Sequence, residues 1–185
     1  MANEAVASQR ARGIAIRSWD VAFLVLAVAT LAGIAALGVG SYRAAHDLEQ
    51  LKRNAEHVVA RLEAIAATRG TAAADPAACA RHAPGATPAG WSACLSAIRS
   101  APDIAAFANG FVAGNQAFGK ACSTEDPAAR GTIVFEKGTE WFSAGTTGTS
   151  FAPVADEEAI DRELVLRVRV CGRWGEPVTV REVRF

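Results

Sequence analysis

The residues with the clearest chemistry in this 185-residue chain are four cysteines, Cys79, Cys94, Cys122 and Cys171. An even number of cysteines in a small exported domain points to disulfide bonds, and no C-x-x-C pair is present to suggest a zinc ribbon or a thioredoxin-type redox site. Four cysteines allow three connectivities. The favoured pairing joins Cys79 to Cys94 across a Pro/Gly loop, and Cys122 to Cys171 between a helical part and the last hairpin. Each bond is expected to contribute roughly 2–4 kcal/mol. Other reactive groups are weaker signals. Cys79-x-x-His82 has zinc-like spacing but lacks a second pair. The acidic run Asp156, Glu157, Glu158, Asp161 and Glu163 fits a solvated loop better than a cation site. His46 and His57 share a helix face, as two solvated histidines would. No G-x-S-x-G, H-E-x-x-H, Walker or G-x-G-x-x-G motif occurs, and no nucleophile, base and metal set can be assembled. The chain is therefore expected to be non-enzymatic, with no catalytic or metal-binding residues, no cofactor and no evident small-molecule substrate.

The elements that position these residues begin with a long apolar segment. Val21 to Tyr42 is 22 residues without a charge, and a helix of that length is about 33 Å long, enough for a hydrocarbon core of about 30 Å. The run exceeds a signal-peptide core, 20 residues precede it, and no lipobox cysteine ends it, so a permanent single span with an uncleaved start is expected. Trp19 and Tyr42 bracket it as interface anchors, and Arg17 and Asp20 lie at its edge, close enough to pair. Ala22, Ala29, Gly33, Ala36 and Gly40 fall on one face, where small side chains let another helix approach. The expected partners are lipid and other transmembrane helices, copies of this chain or different subunits.

Charge does not orient the span, because Arg10, Arg12 and Arg17 before it are balanced by Arg43, Lys52 and Arg53 after it. The cysteines decide instead, since disulfides belong on an oxidising side. The expected arrangement is the inner membrane of a bacterium, with residues 1–19 cytoplasmic, 20–42 transmembrane, and 43–70 and 71–185 periplasmic. A net charge of zero and a near-neutral pI give no basic field for nucleic acid.

Residues 43–70 continue as an amphipathic stalk helix. Leu48, Leu51, Ala55, Val58, Leu62 and Ile65 form a heptad stripe, and Glu49 and Arg53 are placed for an i,i+4 pair. The stripe suits either a coiled-coil seam between chains or the face on which the chain's own domain rests. One continuous helix from about residue 18 to 69 is predicted, stopping at Gly70.

Residues 71–185 predict a small disulfide-braced head, making the fold α+β. Asp75-Pro76 is a helix-start signal, Trp91 to Arg99 a short helix, and Ser100-Ala101-Pro102-Asp103 the start of a third helix ending at Asn109-Gly110. Thr132 to Glu136 and Glu140 to Ser143 are expected to pair across a Lys137-Gly138 turn, with Gly145 to Ser150 a flexible loop. Glu163 to Cys171 and Val178 to Phe185 alternate as a hairpin with one buried face, giving an antiparallel sheet of three or four strands.

This layout resembles the type IV pilin and pseudopilin superfamily. Arg10-Ala11-Arg12-Gly13 is similar to the end of a pilin leader, with cleavage before Ile14 implied. The resemblance implies a helix of about 55 residues to Gly70 and a C-terminal disulfide loop carried by Cys122 and Cys171. The family's glutamate falls on Ser18 here, and Arg17 and Asp20 interrupt the apolar start. The functional expectation is an accessory or structural subunit of a larger membrane assembly. A pilin-like filament subunit is the alternative, and a sensor or scaffold with a dimerising stalk is a third possibility.

Overall fold

The computed structural model of the chain describes residues 18–71, 75–80, 90–143, 145–160 and 163–185. Its first element is one helix, α1 (Ser18–Thr68), 51 residues long. No Pro falls within it, and the small and branched residues that dominate it carry no competing polar group for the backbone. The chain divides into two compact units at Arg43 and Ala44. The division falls where the sequence changes from apolar on all sides to amphipathic, so the second half of α1 belongs to the same unit as the head.

Within that second unit, Leu51, Ala55, Val58, Val59, Leu62 and Ile65 are buried, each at most 4 % exposed, and Leu48 packs beside them. They share one hydrophobic core with Trp91, Cys94, Ile98, Phe135, Leu166, Val168, Val170 and Phe185. The heptad stripe is therefore the face on which the head rests. Its apolar atoms are already covered, so it offers no seam for a coiled coil with a second chain. Each fully buried Val, Leu or Ile contributes roughly 1.5–3 kcal/mol through loss of apolar surface. On the exposed face, Glu49 pairs with Lys52 at 2.9 Å, the residue just before the expected Arg53. That hydrogen bond, then the Lys52 charge, lowers the Glu49 pKa.

The helical connections are shorter than the sequence signals suggest. Asp75-Pro76 does not start an α-helix; it leads into a single 3₁₀ turn, Ala77–Cys79. The Cys79–Cys94 bond holds this turn against α2 (Trp91–Arg99). α3 (Pro102–Ala105) stops after one turn, well before Asn109, and Ala101 rather than Ser100 is its N-cap. Asn109 then organises the loop instead. Its Oδ1 accepts the N–H groups of Phe111 and Val112, both at 3.0 Å, and its Nδ2 donates to the Arg130 carbonyl at 2.7 Å. The same Nδ2 donates to the Gln116 carbonyl at 3.4 Å, and a buried amide with all four partners fixes a loop as firmly as a helical turn does.

A four-stranded antiparallel sheet follows, in the order β2-β1-β3-β4: β1 (Ile133–Ser143), β2 (Thr146–Pro153), β3 (Val165–Cys171) and β4 (Pro177–Arg184). Two expectations are corrected. Lys137-Gly138 is not a turn, because β1 runs straight through it, and Gly145 to Ser150 is not a loop but supplies most of β2. The turn comes after Ser143 instead. The β3–β4 hairpin keeps the expected alternation on β3, with Leu164, Leu166, Val168 and Val170 buried. A bulge opposite Val168 inserts Val180 as an extra residue, which switches the phase of β4 so that Val183 and Phe185 still face the core. Cys122–Cys171 ties the segment before β1 to the end of β3.

α1 and β1 run alongside each other in the same sense. Asp47 lies beside Gly110, near the start of β1, while Arg69 donates to the Ile160 carbonyl and stacks 4.5 Å over the Phe185 ring near the Gly138 end. Arg69 is 1 % exposed, so it is a structural residue that pins the end of the helix to the C-terminus of the chain.

Because the stripe is covered within one chain, Leu62→Ala should destabilise the head by about 2–5 kcal/mol. Urea unfolding followed by tryptophan fluorescence should give the same loss at every protein concentration. A loss that grows on dilution would instead place Leu62 between chains.

Candidate interaction surfaces

The first half of α1 presents apolar side chains on every side. Phe23, Leu31, Ile34 and Leu37 are all well over half exposed. This helix is long and apolar enough to cross a membrane. The hydroxyl of Thr30 donates to the Leu26 carbonyl at 2.8 Å, so the polar atom is satisfied within the helix. Ala22, Ala29, Gly33, Ala36 and Gly40 lie on one face, and a Cβ added at Gly33 or Gly40 would meet no atom within 4 Å. Trp19 and Tyr42 are exposed at either end. Arg17 lies outside the described residues, as do Gly13 and Ile14.

The head carries a cleft of about 200 Å³ lined by Trp91, Leu95, Arg99, Phe118, Lys120 and Asp156 among others. α2 builds one wall, and it is held at its start by the N–H groups of Trp91 and Ser92, which donate to the carbonyls of Glu158 and Asp156 at 2.8 and 3.0 Å. Arg99, in the last turn of α2, stacks 4.9 Å over the Phe118 ring. Burial lowers its pKa, and the charge of Asp156 opposes that shift. Lys120 pairs with Asp156 at 2.9 Å, and this hydrogen bond, then the Asp156 charge, raises the lysine pKa. The lining combines aromatic surface with two cations and one carboxylate.

A third surface is the far part of the β1–β2 hairpin. Among the described residues β3 pairs with β1 as far as Gly138↔Val165, and Thr139–Ser143 pair with β2 alone. A two-stranded arm is marginal without a core, and this one is braced by aromatic rings laid over glycines. The Trp141 ring lies over Gly148, its cross-strand partner, so closely that a Cβ there would be 2.5 Å from the ring. On the opposite face the Phe151 ring lies over Gly138, and the Arg167 guanidinium caps that ring at 3.4 Å. Trp141 is 47 % exposed and Phe142 73 % exposed, both close to the turn.

The cysteines predicted from sequence meet in pairs, and the stalk stripe converges on the core. The acidic run does not converge. Asp156 pairs with Lys120, Glu158 with Lys137 at 2.6 Å and Glu163 with Arg184 at 3.6 Å; Asp161 and His82 lie outside the described residues. Among the described residues no group of three or more His, Cys, Asp or Glu is placed to hold a metal ion. His46 lies 3.8 Å from Asp47, and His57 faces the Phe107 ring. Sequence reasoning missed the cleft and the arm. The signal for the arm was the uncharged stretch from Trp141 to Ala155, where the aromatic residues Trp141, Phe142 and Phe151 flank Gly145 and Gly148. No family model matches this chain, and no curated protein or solved structure matches it.

Gly148→Val places a side chain where the Trp141 ring lies. Overpacking of this kind costs about 1–3 kcal/mol. Amide exchange should accelerate in residues 139–150 while the β3–β4 amides stay protected. Uniform acceleration through the sheet would show that the arm is not a separate element.

Proposed function

We propose that this chain is a non-enzymatic, single-pass membrane protein that serves as an accessory or structural subunit of a larger bacterial membrane assembly. The observation that carries the proposal is the contrast between the two halves of α1. In the second half the apolar stripe is buried in the chain's own core, whereas in the first half apolar side chains are exposed on every side. Exposed apolar surface of that extent needs lipid or other helices around it. The face formed by Ala22, Ala29, Gly33, Ala36 and Gly40 suits close packing against a neighbouring transmembrane helix, from this chain or from another subunit. Two disulfide bonds and the absence of a free thiol among the described cysteines favour an oxidising compartment for the head. On this reading the span lies in the inner membrane, the N-terminus is cytoplasmic and the head is periplasmic.

A pilin-like filament subunit is the second reading. It is favoured by one observation, a long helix whose apolar half precedes an amphipathic half packed on an antiparallel sheet with a Cys122–Cys171 bond.

Purification from native membranes in mild detergent should recover several integral membrane proteins at fixed ratio, and Gly33→Leu should reduce that recovery. Recovery of the chain alone, unchanged by the substitution, would contradict the subunit reading. Mass spectrometry of the same material separates the two readings: a first residue of Ile14 supports the pilin, and Met1 or Ala2 removes it.

A further inference from the structure

The two edges of the sheet are unlike. β4 begins with Pro177, carries the Val180 bulge, and contains Arg181, Glu182 and Arg184. Proline, bulges and charge are the devices that prevent an edge from pairing with another strand. β2, the opposite edge, has none of them until Pro153 at its end. No charged residue occurs from Trp141 to Ala155.

Among the described residues, the hydrogen-bond phase shows which backbone groups of β2 have no strand beside them. Val154 N–H donates to the Phe135 carbonyl at 3.2 Å. Antiparallel strands alternate inward and outward groups, so Thr146, Gly148, Ser150 and Ala152 turn their N–H groups to β1. Thr147, Thr149 and Phe151 turn theirs outward. Pro153, next in this series, has no N–H to leave unpaired. Both faces of the arm are braced by ring-over-glycine contacts, so this open edge is held in strand geometry before anything binds it.

We propose that the outer edge of β2 is a strand-addition site that takes an extended segment of a second, different polypeptide, backbone to backbone. A row of alternating amide N–H and carbonyl groups is complementary to another extended chain. Thr147 and Thr149 offer hydroxyl and methyl contacts to cross-strand neighbours of the same kind. A second copy of this chain fits less well. Antiparallel β2–β2 pairing reverses the second copy end for end. Because α1 runs along β1, the two Ala44 ends would then lie at opposite ends of the joined sheet, although both lead into the same kind of apolar segment. The site is built by the head alone, and the choice of a different polypeptide over a second copy rests on the reading that both apolar segments lie in one membrane.

The test uses the full-length chain in its native cells, with a photo-reactive benzophenone amino acid placed at Thr147 or at Thr149. Mass spectrometry of the crosslinked peptides identifies what each position touches. The expected result is one segment of one other protein, contacted at residues about two apart from the two positions, as strand pairing requires. Thr149→Pro, which removes an outward N–H and leaves the β1 bonds intact, should reduce the crosslink about tenfold or more. T147K, which adds charge to the edge without touching its hydrogen bonds, serves as the second variant should T149P fail to fold, and should weaken the crosslink as well. Crosslinks to β2 of another copy, to lipid, to many unrelated segments or to nothing would overturn the proposal. So would a crosslink that both variants leave unchanged.

Discussion

Burial of the Leu51, Ala55, Val58, Leu62 and Ile65 stripe is the constraint on which the rest of the head depends. The sheet has one apolar face, made by Phe135, Leu166, Val168, Val170 and Val183, and among the described residues the α-helices other than α1 are nine and four residues long. Elements that short cannot cover a four-stranded sheet. The second half of α1 supplies the missing layer. Arg69 closes the arrangement by fastening the end of that helix to Ile160 and to the ring of the last residue, Phe185.

This use of the helix divides it chemically. Where the stripe meets the head, ion pairs such as Glu49–Lys52 and Glu63–Arg181 decorate the other faces. Surface pairs of this type add little stability, but they keep that surface soluble. From Val21 to Tyr42 there is no such partition, and the helix is apolar all round. The two disulfides act on the parts that the helix does not organise. Closing 15 residues between Cys79 and Cys94, and 49 between Cys122 and Cys171, removes chain entropy worth roughly 3 and 4 kcal/mol in the simplest account. Cys79 lies in the 3₁₀ turn and is joined to α2, and Cys122 lies before β1 and is joined to the end of β3.

The sequence made the largest features legible because their signals are long. A 22-residue uncharged run, a heptad stripe of six residues and a strand alternating from Leu164 to Val170 each repeat a single physical preference many times. The features it concealed depend on contacts between distant residues. Gly138 reads as a turn because glycine is a turn residue, yet here it makes room for the Phe151 ring in the middle of β1. Gly145 to Ser150 reads as a loop because Gly, Thr and Ser are common in loops, yet pairing with β1 makes most of it a strand. The Asp75-Pro76 and Ser100 signals are local, and tertiary packing leaves only one turn of helix after each. The cleft beside Arg99 draws its lining from four separate segments, so no single stretch of sequence announces it.

The proposed role requires the first half of α1 to be held permanently in a bilayer while still joined to the head. Alkaline carbonate extraction of native membranes tests this most directly. Detection with an antibody against the head should find it entirely in the membrane pellet. Head released into the supernatant, at full length or cut free of the apolar segment, would rule out permanent insertion.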